Sequence, residues 1–169
     1  TKDYKEQAIA LIKESNHKVL FININEHISN NLGDATIVSH EMRALLDSSK
    51  YKELEHPLIL PMKSLGMKII EDISDITILD YGLNLKEGAF IINPKSATLN
   101  WPLSAAYALA IVTQAGARSI KLIGFDGYEK DDIRYHEMEE VLTTYRSLEN
   151  AIEITSLTPT LFDVKTSLL

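Results

Sequence analysis

The sequence predicts an α/β protein with a Rossmann-like, mostly parallel sheet and helices on both faces. Three observations predict it. Short apolar runs of strand length recur at residues 18–23, 35–38, 57–61, 76–79, 89–92, 119–123 and 151–155. Several of them are separated by segments whose apolar residues fall three and four apart, the helical period. The stretch 101–128 holds one complete unit: Pro102, an alanine-rich helix, a stop at Gly116, a strand, and the loop Gly124-Phe125-Asp126-Gly127. Strands alternating with helices imply a largely parallel sheet covered on both sides.

Taken in order, Tyr4, Ala8, Leu11 and Ile12 share one face of a first helix that Asn16 and His17 end. Residues 18–23 form a buried strand, and a polar connection with Gly33 as its turn residue leads to the strand 35–38. Ser39 is placed to cap the helix 41–46. Pro57 and Pro61 bracket the third strand, and residues 76–79 and 89–92 are the fourth and fifth. Residues 93–100 read as a loop. Pro102 suits the first turn of the helix that follows, where a missing N–H costs nothing, and Gly116 suits the left-handed position that ends it. After the strand 119–123, Asp131 and Asp132 precede a helix striped by Met138, Val141, Leu142, Tyr145 and Leu148. A last strand at 151–155 is followed by a tail, Thr158-Pro159-Thr160-Leu161-Phe162, with no expected structure.

The length of 169 residues fits one domain, 1–169, with a full core. The formal net charge of −7 argues against a nucleic-acid partner, which needs a basic face to neutralise phosphates. Cysteine is absent, which removes disulfides, thiolate zinc sites and cysteine nucleophiles. The longest strongly apolar run, 103–112, is too short to span a bilayer. With no visible signal peptide, the expectation is a cytoplasmic protein without a membrane span. The chain opens Thr1-Lys2-Asp3 rather than with methionine. An excised piece of a longer protein, a processed start or missing leading residues would all look this way.

Ligands of open α/β sheets bind beyond the carboxyl ends of the strands. Asn23 and Asn25 follow the first strand, Ser39 and His40 the second, and Asp126 the strand 119–123, so all five fall on one edge. Ser104 lies in the first turn of the helix after residues 93–100, which also carry Lys95, Ser96, Thr98 and Asn100. A helix N-terminus offers N–H groups and partial positive charge to a phosphate or carboxylate. Each residue also has a plainer role: asparagines favour turns, Ser39 caps the helix 41–46, and Thr98 or Asn100 caps the helix that follows residues 93–100. The P-loop and Gly-x-Gly-x-x-Gly fingerprints are both absent. His136-Glu137 is half of a zinc-protease motif, but position 140 is Glu140, and a zinc site needs three or four convergent ligands. Asp131 and Asp132 fit a helix N-terminus better than a metal pair. Ser104 lacks a Gly-x-Ser-x-Gly elbow.

The run Ser104 to Ile111, followed by Gly116 to Tyr128, resembles the nucleotide-sugar-binding core of bacterial sialyltransferase-like proteins. It is still more similar to a domain at the C-terminus of bacterial 4-hydroxy-2-oxovalerate aldolase-like proteins of surface-polysaccharide gene clusters. The matching residues are Gly124 to Tyr128, Asp131-Asp132, Arg134, Glu137-Met138 and Ser156 to Thr160. The resemblance implies an upstream aldolase barrel, a lyase of about 250 residues, that this chain does not contain. It further implies that this domain binds a nucleotide or nucleotide-sugar through Asn23, Asn25, Ser39, His40, Ser104 and Asp126, with no cofactor of its own. Where sialyltransferases carry asparagine after the second strand, this chain has Ser39-His40. Their lid histidine has no counterpart beyond His136, which sits in an amphipathic helix. Binding or assembly without catalysis is therefore the leading expectation. A sialyltransferase-like enzyme with His40 or His136 as base is the second, and a dimerisation module, with a homodimer as partner, the third.

Overall fold

The computed structural model describes residues 4–14 and 16–169; the opening Thr1-Lys2-Asp3 lies outside the described residues. After helix α1 (Lys5–Glu14), four short strands pair in parallel in the order of the chain: β1 (Leu20–Ile22), β2 (Ala35–Ile37), β3 (Leu58–Leu60) and β4 (Ile78–Asp80). A 3-10 turn at Asn30–Leu32 lies between β1 and β2. Helices α2 (Glu41–Leu46) and α3 (Ser48–Tyr51) lie between β2 and β3, and α4 (Met67–Asp72) lies between β3 and β4. A second sheet, ordered β5-β7-β6, follows from β5 (Gly82–Leu85), β6 (Phe90–Asn93) and β7 (Ser96–Leu99). Helix α5 (Ser104–Gln114) leads to β8 (Ile120–Leu122), α6 (Ile133–Arg146), β9 (Ile154–Ser156) and β10 (Lys165–Thr166), the last three strands forming a parallel sheet in the order β10-β9-β8.

The α/β class and the predominance of parallel pairing stand. The strands divide into three hydrogen-bonded sheets, and one of them departs from the parallel rule: β6 and β7 run antiparallel. The supposed loop 93–100 is the cause. Pro94 and Lys95 turn the chain, proline having the backbone angle a tight turn wants. Residues 96–99 then alternate, Ala97 and Leu99 fully buried and Ser96 and Thr98 only partly so. That alternation is a half-buried strand in four residues. Residues 158–162 form no helix or strand, as expected, but a short strand follows them, Lys165 pairing with Thr155 and Thr166 with Ser156.

Two apolar layers sandwich the first sheet. Ile37 and Ile59 pack on one side with Leu99, Tyr107, Leu142 and Tyr145. Val38, Leu58 and Leu60 pack on the other with Ala44, Tyr51 and Ile69. Residues 35–38 are therefore buried without alternation, as a strand covered on both faces requires. Two ends follow expectation closely. Asp132 caps α6, its carboxylate accepting from Arg134 N at 2.9 Å, and Gly116 takes the left-handed φ of 74° after α5. Pro102, by contrast, precedes the helix: the N-cap of α5 is Leu103.

Candidate functional site

Because β1 and β2 are parallel, the residues after them reach the same edge of the sheet. Asn23 turns the chain there with a φ of 62°, the one non-glycine residue with positive φ among those described. Asparagine tolerates this region better than most residues. Its N–H donates to the Ile37 carbonyl at 2.9 Å, so the turn is locked to β2. Ser39 follows β2 and is 4% exposed. Its hydroxyl donates to the Pro102 carbonyl at 2.7 Å and lies 3.0 Å from Ser104 Oγ. Ser104 Oγ in turn donates to Asn23 Oδ1 at 3.3 Å and accepts from Ser39 N at 3.4 Å. Residues far apart in sequence thus meet where α5 begins.

Proton counting defines what this network can do. The single proton of Ser39 is committed to Pro102, so Ser39 Oγ can only accept from Ser104. Ser104 must then divide its own proton between Ser39 and Asn23. Neither partner is a base that could activate the hydroxyl. The Asn23 amide nitrogen takes no part in the network. The first-turn N–H groups of α5, at Ser104, Ala105 and Ala106, have no intrahelical carbonyl to reach. The groups left over are donors, which suits an anionic oxygen rather than a cation.

The other expected residues separate from this trio. Ser39 does not cap α2, because its hydroxyl is drawn to Pro102 and Ser104. His40 is the cap, its Nδ1 accepting from Met42 N at 3.2 Å. Asn25 closes a local turn, its Oδ1 accepting from His27 N and Ile28 N, each at 2.8 Å. Asp126 lies on an exposed loop beyond β8, and its carbonyl accepts from Leu161 N at 2.8 Å. That loop is clasped to the tail: Gly124 N donates to Thr158 Oγ1 at 3.0 Å, and Phe162 packs on Phe125 with ring centres 4.9 Å apart. Neither Thr98 nor Asn100 caps α5. Asn100 instead accepts from Gly88 N at 3.1 Å and donates to Glu140 at 2.6 Å.

The sequence did not announce the backbone acceptor of the trio or the roles of two carboxylates elsewhere on the first sheet and its helices. The Pro102 carbonyl anchors Ser39, and no side-chain pattern announces a backbone acceptor. Asp80 ends β4 and accepts from Met62 N at 3.0 Å, and Glu41 accepts from Gly66 N at 2.9 Å. Asp80 lies at the carboxyl end of β4 and Glu41 opens α2, four residues beyond β2; an acidic residue closing an apolar run was a signal available for Asp80. At the start of α6, the Arg134 side chain hydrogen-bonded to Asp132 holds that carboxyl down at about 2. Among the described residues no group of three or more acidic or histidine side chains could hold a metal ion, and no helix is long and apolar enough to cross a membrane.

Comparison of the chain with protein-family models, with curated proteins and with solved structures found no match.

Proposed function

We propose that this is a non-catalytic nucleotide- or nucleotide-sugar-binding or assembly domain of a 4-hydroxy-2-oxovalerate aldolase-like protein in surface-polysaccharide biosynthesis. The observation that carries the reading is the Asn23–Ser104–Ser39 network at the carboxyl edge of β1 and β2, under the first turn of α5. The phosphate of the ligand lies against the N–H groups of that turn. The Asn23 amide donates to a phosphate or sugar oxygen, and Ser104 exchanges its bond to Asn23 for one to the ligand. Aldol chemistry belongs to the barrel expected upstream. Titration of CMP, CDP and UDP-sugars into the protein tests the ligand. Saturable heat that weakens in Ser104→Ala supports it, and no heat from any of them removes it.

The dimerisation reading draws on one observation of its own. Helix α2 exposes Met42, Leu45 and Leu46, at 56%, 37% and 69%, a large apolar area for six residues. Sedimentation decides it: a monomer at high concentration excludes a homodimer.

A further inference from the structure

At the opposite edge of the first sheet, a histidine that the proposed function does not use ties two strands together. His56 precedes β3, and its Nε2 lies 2.9 Å from Oγ1 of Thr36, the fully buried middle residue of β2. Its other ring nitrogen, Nδ1, is shut off from solvent and has no well-aligned hydrogen-bond partner. A neutral imidazole fits this place in either tautomer, because only one nitrogen need carry hydrogen. A second proton makes both nitrogens donors and brings a charge to a nitrogen water does not reach.

We propose that His56 is a proton-sensitive latch on β2: in its neutral form its bond to Thr36 supports the β2–β3 pairing, and protonation weakens that support by placing a charge on a ring whose Nδ1 is shut off from water.

The surroundings decide the direction. Burial disfavours the charged ring and outweighs the Gly33 carbonyl and the Asp34 carboxylate, so His56 is pushed below the ordinary histidine range. Asp34, just ahead of β2, is already engaged by Lys18 Nζ at 2.8 Å and Val19 N at 2.8 Å. The connection before β3 contributes Lys52 and Glu55, and the connection before β4 contributes Asp75; all three line an open cavity of about 380 Å³ beside the ring. None of the three is hydrogen-bonded to the imidazole. A histidine depressed in the folded state binds fewer protons than in the unfolded chain. Its stabilising effect is therefore complete above the ordinary imidazole value of about 6.5 and declines as pH falls below it. The latch acts on the strand that carries Ser39 just beyond its other end, and it does not depend on what ligand that end binds.

Two measurements test the latch. Nuclear magnetic resonance titration of the His56 ring in the unaltered protein should show it neutral where a free imidazole is already protonated. Urea midpoints between pH 7.5 and 5 should fall in the unaltered protein and fall less in His56→Gln, whose amide can still bond Thr36 but does not titrate. Parallel loss in both proteins overturns the latch, as does a ring that titrates at or above the ordinary value. The ring titration alone decides the matter if the variant does not fold.

Discussion

Three short polar residues define the candidate site, and each can be altered with a distinct consequence. Removing the Ser39 hydroxyl takes the side-chain donor from the Pro102 carbonyl and leaves Ser104 with Asn23 and the Ser39 N–H alone, so Ser39→Ala should cost about 1 kcal/mol in urea unfolding. At Asn23 the backbone and the side chain separate. Asn23→Ala keeps an L-residue at a φ of 62° and should lose roughly 1 kcal/mol, whereas Asn23→Gly should fold as well as the original while binding the ligand more weakly. Equal stability losses in the two variants would show that the left-handed turn is not what asparagine is there for. The sequence made these positions visible because each follows an apolar strand. It could not show which would turn inward. Ser39 gave up its local role as a cap to partners 63 and 65 residues away, and Asn25, two positions from Asn23, went to a local turn instead.

At the scale of elements, what matters is how α5 and α6 are held. Asn100 and Trp101 both donate to Glu140 on α6, and the Tyr107 hydroxyl donates to the Tyr81 carbonyl, so the start of α5 is fixed from two sides. Asp132 caps α6 and its carboxyl lies low, at about 2. Its contribution is therefore present above the ordinary carboxylate range and is lost as pH falls from about 4 toward 2. Helical circular dichroism across that range should show Asp132→Asn already weakened at neutral pH and less changed by acid than the original. Gly127, at a φ of 94°, would place a Cβ 3.0 Å from that of Leu161. Gly127→Ala should therefore loosen the clasp between the Asp126 loop and the tail, costing more than about 1 kcal/mol in thermal or urea unfolding. Helices with clear caps and stops were legible in the sequence. The β6–β7 hairpin was not, because its four-residue strand is polar at alternate positions and reads as loop until Ala97 and Leu99 are seen to share a buried face.

For the whole molecule, the two-faced burial of the first sheet explains both the legible fold and the sensitivity of the site. Strands β2 and β3 are buried on both faces and apolar but for Thr36, a pattern that belongs to a covered parallel sheet and that their apolar runs announce in the sequence. Leu58 is fully buried among residues of the α2–α4 side, and Leu58→Ala should cost about 2–5 kcal/mol. The division into three hydrogen-bonded sheets depends on register between distant strands, which apolar runs of three or four residues do not encode. The central claim is that the edge where β1, β2 and α5 meet receives an anionic nucleotide. Calorimetric titration of CMP, CDP and UDP-sugars into the unaltered protein and into Asn23→Gly tests it most directly. Saturable binding to the first, weakened about tenfold in the second by loss of one hydrogen bond to a charged group, is the predicted result. No binding by any of these ligands, or equal affinity in both proteins, would contradict it.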